Sequence, residues 1–152
     1  MGAVNEEPDI SVVVDEVFRL SGALAADGQR IAERHGLTVA RWRILGCLGD
    51  EGPLSAAGLA RRLGFTRQTV AESTTILIRD GLVSRAADPA DRRAPLLAIT
   101  ERGAEARELI DADRHEWAER LRRQCTAIDL AGFAATAAAI RVALETADAD
   151  SG

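Results

Sequence analysis

Residues 55–80 read SAAGLARRLGFTRQTVAESTTILIRD, and the architecture turns on them. Ser55 stands where a short helix, Ala56–Leu63, begins, and Gly64 stops it. Thr66 then caps a second helix that runs to about Asp80, with Gly81 just beyond its end. Two short helices joined by three or four residues containing a glycine, here Gly64-Phe65-Thr66, form a helix-turn-helix. Within the second helix Val70, Ile76 and Leu77 are expected to face inward, with Ser73 diluting the stripe.

Downstream, Leu82-Val83-Ser84-Arg85 and Pro95-Leu96-Leu97-Ala98-Ile99 flank Asp88-Pro89-Ala90-Asp91, a segment of turn chemistry. This is the one hairpin signal in the chain, and a hairpin directly after the second helix is a wing. Upstream, Ile10, Val13, Val14, Val17, Leu20, Leu24 and Ile31 recur at helical spacing, predicting one helix over 11–35 ended by His35-Gly36. Thr38 caps the next helix, striped by Val39, Trp42, Leu45 and Leu48, and residues 50–53 read as a loop. Thr100 caps a helix over 101–124; Thr126 or Asp129 caps a last one carrying Leu130, Phe133, Ala134, Ala137, Ile140 and Leu144. The fold class is therefore mainly α: a winged helix-turn-helix domain at 36–100 with a two-stranded wing, flanked by helical segments 10–35 and 101–148. Residues 1–9 are expected to be a flexible N-terminus.

Composition agrees. The chain has 152 residues, 47% hydrophobic, 28% charged and only 3% aromatic, with 29 Ala. Alanine favours helix and the scarcity of aromatics disfavours an all-β fold. No run of 18 apolar residues and no signal-peptide pattern is present, so no membrane partner and a cytoplasmic location are expected. All 19 basic residues are Arg, and they are unevenly spread. Residues 55–102 carry a net +3, whereas 1–54 and 103–152 each carry −4. A basic middle held between acidic ends suits a polyanion such as double-stranded DNA.

The candidate DNA-binding residues follow from their chemistry. Thr66 and Thr69 hydroxyls, with free helix N–H groups, can hold phosphate oxygens; Ser55 offers the same at the first helix. Arg67 can pair with guanine and Gln68 with adenine. Arg61 and Arg62 are phosphate candidates. At the wing, Arg92 and Arg93 suit the narrow minor groove, with Asp91 placed to fix a guanidinium.

With these stretches in order, the sequence resembles the multiple-antibiotic-resistance regulator (MarR) family of bacterial winged-helix repressors. The likeness rests on Leu37-Thr38 with Trp42-Arg43-Ile44-Leu45, on Leu59 through Gly64, on Thr66 through Val70, on Asp80 through Val83, and on the wing run Asp91 through Gly103. It implies a homodimer interlocked through the N-terminal helix and the last two helices, binding a pseudo-palindromic operator, and released by a small-molecule effector. Trp42 is the candidate effector-binding residue, with core packing the alternative. Two positions depart from the family pattern: Glu72 where a basic residue is common, and Ser73 where Leu is common.

Other chemistry is thinly represented. No phosphate-cradling glycine loop, Gly-x-Ser-x-Gly or His-Glu-x-x-His motif occurs, so no catalytic residue, cofactor or enzyme activity is expected. Asp111, His115 and Glu119 share a helix face but lack a converging second histidine, so no metal is expected; ion pairs such as Glu119–Arg123 are the alternative. Cys47 reads as a core thiol, and Cys125 lies beside Arg122 and Arg123. A rival function, motivated by Glu72 and the overall acidity, is a winged-helix protein-interaction module that has lost DNA binding.

Overall fold

The computed structural model describes residues 9–86, 95–126 and 128–149. In chain order these form α1 (Ile10–Arg34), α2 (Val39–Glu51), β1 (Leu54–Ser55), α3 (Ala56–Leu63), α4 (Arg67–Arg79), β2 (Val83–Ala86), β3 (Leu96–Ile99), α5 (Glu101–Gln124) and α6 (Leu130–Ala149). The chain divides into two units, Met1–Glu116 and Trp117–Gly152.

In the first unit, short polar caps set the helix boundaries. The hydroxyls of Thr38, Ser55 and Thr66 accept from the backbone N–H groups of Arg41, Gly58 and Thr69, opening α2, α3 and α4. Thr100 does the same for Gly103 at the start of α5, at 3.0 Å, while its own hydroxyl donates to the Gly81 carbonyl at 2.7 Å. Gly64 closes α3 at φ 66, a left-handed conformation that lets the chain turn abruptly into Thr66.

The core forms where α2, α3, α4 and the sheet meet. Ile44, Leu45, Leu48, Leu59, Val70 and Leu77 are fully enclosed, with Ile31 and Ala32 from the end of α1 and Ile110 from α5. Along α4 the inward row is Val70, Ser73, Thr74 and Leu77; Ile76 is only half-buried. Val70, Ser73, Thr74 and Leu77 follow the i, i+3, i+4, i+7 spacing of one helix face, which leaves Ile76 to its side; the Thr74 hydroxyl donates to the Val70 carbonyl at 2.7 Å, which removes the penalty of burying it.

The sheet has three strands, not two. Its order is β1-β3-β2, antiparallel throughout, with Leu54 opposite Leu97 and Arg85 opposite Leu97 on the other side. The stem of the wing is thus tied back to the residue that caps α3. Asp50 and Glu51, expected in a loop, form the last turn of α2.

The first two-thirds of α1 has almost no packing within its own chain. Ile10, Val12, Val14, Val17, Phe18, Leu20 and Leu24 are exposed, and Ile31 and Ala32 are the buried residues of this helix. In the second unit, Asp129 rather than Thr126 caps α6, its Oδ1 accepting from Gly132 N–H at 2.9 Å. Leu121, Ile128, Leu130, Phe133 and Val142 are likewise exposed there.

Candidate nucleic-acid interface

The reading end of the first unit is built around the start of α4. Thr66, Arg67 and Gln68 are exposed and Thr69 is half-buried. Thr66 and Thr69 hydroxyls sit 2.8 Å apart, so the first turn presents two linked oxygens beside free helix N–H groups. Arg43 from α2 fixes the approach to this turn. Its guanidinium donates to the Leu63 carbonyl at 3.2 Å and lies 4.8 Å from the Phe65 ring centroid, a cation–π contact across the glycine turn.

The sequence-derived candidates do not all stand free. Ser55 is half-buried, and its hydroxyl is the α3 cap, accepting from Gly58 N–H at 3.1 Å. Arg61 is exposed beside Leu54 and Gly58. Arg62, its neighbour, is held by Glu51 at 2.6 Å, so its charge is already matched by a carboxylate. Gln68 donates from Nε2 to Glu72 at 2.9 Å. Asp91, Arg92 and Arg93 lie outside the described residues, as does the turn that carries them.

Two arginines escaped the sequence reading. Arg43 could be placed only once α2 and the α3–α4 turn were adjacent. Arg85 is exposed on β2 and lines a cleft of about 340 Å³ with Thr74, Thr75, Ile78 and Leu97. On β2 Val83 is buried while Ser84 and Arg85 are both exposed, a pattern that departs from simple strand alternation and so gave no sequence signal. A second cleft of about 370 Å³ lies between the α1–α2 turn, the end of α4 and the start of α5, lined by His35, Leu37, Leu82, Arg102, Glu105 and Leu109 among others. Trp42 is half-buried on α2 and lines neither of these two clefts.

The remaining polar groups are scaffold. Arg107 bridges Asp50 at 2.5 Å and Asp111 at 3.3 Å, tying α2 to α5; the Asp50 contact holds its guanidinium above the ordinary pKa. His35 Nε2 lies 3.0 Å from Asp113. Asp80, hydrogen-bonded to Arg79, titrates below the usual carboxylate range. Burial, then the Glu51 carboxylate, pushes the Cys47 thiol up, which suits an inert core position. Asp111 is committed to Arg107, and Glu119 pairs with Arg122 at 3.1 Å. Among the described residues no three His, Cys, Asp or Glu side chains converge as a metal site would need.

This geometry, a capped and exposed helix start behind a glycine turn and in front of paired strands, coincides with a family match over residues 35–94 to the MarR family. The chain belongs to the MarR family. An uncharacterised protein of Mycobacterium tuberculosis is 40% identical over 95 residues, covering 62% of this chain and 66% of that one. The transcriptional activatory protein BadR of Rhodopseudomonas palustris is 31% identical over 104 residues, covering 66% of this chain and 54% of BadR. The chain thus spans slightly less than two-thirds of the first relative and about half of the second.

Two solved structures share the MarR fold. Staphylococcus aureus MarR, solved with salicylate and kanamycin, has a TM-score of 0.76 at 17% identity, over 90% of each chain. A Staphylococcus aureus MepR variant bound to an oligodeoxyribonucleotide has a TM-score of 0.57 at 20% identity, over 92% of this chain and 99% of MepR. Members of the family are transcription regulators and not enzymes. No described helix is long and apolar enough to cross a membrane.

Proposed function

We propose that this MarR-family chain is a sequence-specific, duplex-DNA-binding transcriptional regulator that works as a homodimer in the cytoplasm. The observation that carries the reading is the exposed N-terminal turn of α4, Thr66 to Thr69, held rigidly by its cap, by Arg43 on the turn and by the packed wing stem. Such a helix end enters the major groove with Arg67 and Gln68 against base edges, while the Thr hydroxyls and Arg61 meet phosphates. Arg92 and Arg93, beyond β2, reach the neighbouring minor groove. The DNA-bound MepR neighbour supports this mode of binding.

The dimer follows from surface that a lone chain leaves in water. The apolar residues of α1 from Ile10 to Leu24, and those of α6 with Ile128 and Leu130, form exposed areas that soluble proteins normally bury against a partner. Two copies related by two-fold symmetry would set their α4 helices about 34 Å apart, one turn of DNA, on a pseudo-palindromic operator. A small effector lodged against Trp42 would bias that spacing and release the DNA, making the chain a repressor. The salicylate-bound MarR neighbour supports a ligand of this size; BadR, named an activatory protein, sets the opposite regulatory sign beside it.

The test is a gel-shift and footprint titration with DNA flanking the chain's own gene. The expected result is a protected pseudo-palindrome whose affinity falls steeply with salt, by several phosphates' worth. Binding that ignores both salt and sequence would favour the interaction-module reading that Glu72 motivates.

A further inference from the structure

Glu72 is an odd residue to find on a helix that meets DNA. It sits in the middle of the outward face of α4, exposed, six residues after the Thr66 cap. Gln68 and Thr75, four residues before and three after, are its exposed neighbours on that face. A carboxylate there repels every phosphate it approaches, and the repulsion grows as water is expelled. If α4 enters a groove, Glu72 is tolerable only where it faces base edges rather than the backbone.

The hydrogen bond to Gln68 defines what this pair offers. Gln68 Nε2 lies 2.9 Å from Glu72 Oε1. An ionised carboxylate only accepts, so the nitrogen end of the amide must be the end that faces it, which removes the usual ambiguity in orienting a glutamine. Gln68 keeps its carbonyl oxygen and one N–H for a base. Glu72 keeps its second oxygen, an acceptor with no donor counterpart. The spacing i, i+4 sets their Cα atoms about 6 Å apart along the helix axis, within two base steps, while the two side-chain ends meet. Their combined face is therefore rich in acceptors.

In the major groove, acceptors select bases that present amino groups. Cytosine N4 is the donor that meets no competing acceptor on its own base; adenine N6 comes with N7, and guanine and thymine present oxygens that a carboxylate repels. Resting on the DNA-binding reading above, we infer that Glu72, oriented by Gln68, is a specificity-determining residue that reads a cytosine in each half-site and rejects guanine and thymine at that position. The Gln68 amide serves both to hold Glu72 and to read the adjoining base.

The experiment selects bound duplexes from a pool randomised over about 20 base pairs, two helical turns. The full-length protein is used in parallel with Glu72→Gln and Glu72→Ala, at low salt. Both side chains are exposed, so the variants keep the wild-type melting temperature, which is measured alongside. The expected wild-type pool carries cytosine at one fixed position per half-site, favoured on the order of ten-fold over the other bases. That preference collapses in Glu72→Ala and moves away from cytosine in Glu72→Gln, while preferences elsewhere persist. Identical base preferences in all three proteins would overturn the inference and leave the DNA-binding reading standing. So would a uniform tightening of every sequence in the variants, which would make Glu72 a repulsive charge beside phosphate and nothing more. Failure of the wild type to retain any duplex would remove the DNA-binding reading itself, and this inference with it.

Discussion

Replacing Gly103 with alanine sets two opposed effects against each other. An alanine inside a helix is ordinarily favourable over glycine by up to about 1 kcal/mol. Gly103, however, lies buried in the first turn of α5, and a Cβ built there falls well inside contact distance of the Leu82 carbonyl oxygen and 2.8 Å from Ile99 Cγ1. The Ile99 side chain can turn aside; the Leu82 backbone cannot, because it ends the α4–β2 connection. Relief requires the start of α5 to withdraw by on the order of 1 Å, which is overpacking worth about 1–3 kcal/mol. That withdrawal pulls Thr100 N–H off the Leu82 carbonyl, now at 3.1 Å, and the Thr100 hydroxyl off the Gly81 carbonyl, now at 2.7 Å. Each lost bond removes about 1 kcal/mol. The net expectation for Gly103→Ala is a loss of about 2–4 kcal/mol. Urea unfolding followed by circular dichroism, at one fixed protein concentration, reads this as a midpoint lowered by on the order of 1 M. Gly46→Ala is the control: a Cβ on that α2 residue meets nothing within 4 Å, so stability should rise by about 0.5–1 kcal/mol. A Gly103→Ala protein as stable as wild type, beside the expected gain at Gly46, would show that the wing base is not held by this contact.

The other expectations use different assays. In DNA titrations over a salt series, Arg61→Ala should flatten the slope of log affinity against log salt by about one, whereas Arg62→Ala, whose guanidinium already meets Glu51, should flatten it less; equal effects would contradict the pairing. Combined Val17→Asp and Leu24→Asp substitutions place charges on exposed apolar positions of α1, and sedimentation should then report monomer; an unchanged dimer mass would move the interface elsewhere. With Cys125 replaced by serine, the remaining thiol, Cys47, should react with iodoacetamide at about pH 8 more than about ten-fold slower than a free cysteine. Because its pKa is raised, the thiolate fraction at that pH is lowered, and the rate should keep climbing past the ordinary thiol titration; rapid labelling would argue against a buried position.

Local chemistry was legible in the sequence; distant pairing was not. Thr38, Ser55, Thr66 and Thr100 announce helix starts because a cap bonds to a backbone group three residues away, inside the window that spacing can reveal. Gly64 likewise marks its turn without reference to the rest of the chain. Strand β1 was invisible: two residues carry no alternation, and Leu54 is a strand only because Leu97, 43 positions on, pairs with it. The phase of α4 was misjudged at Ile76 because two of the four inward positions, Ser73 and Thr74, are polar, and a polarity pattern does not register that Thr74 satisfies its hydroxyl on its own helix. Arg43 on Phe65 and Arg62 on Glu51 needed α2 laid against the turn and against α3 before either could be seen. Of the anticipated interface, Thr66 to Thr69 lie at the largely exposed start of α4, while the wing-tip residues Asp91, Arg92 and Arg93 fall outside the described residues.

Ser55 belongs to two structures at once, pairing with Leu96 in the sheet and supplying the hydroxyl that starts α3. A single residue therefore welds the stem strand β3 to the start of the helix pair. On the proposed reading, a signal that loosened the grip on a duplex would have to swing the stem and the helix pair together as one lever, and both would lift away in a single movement.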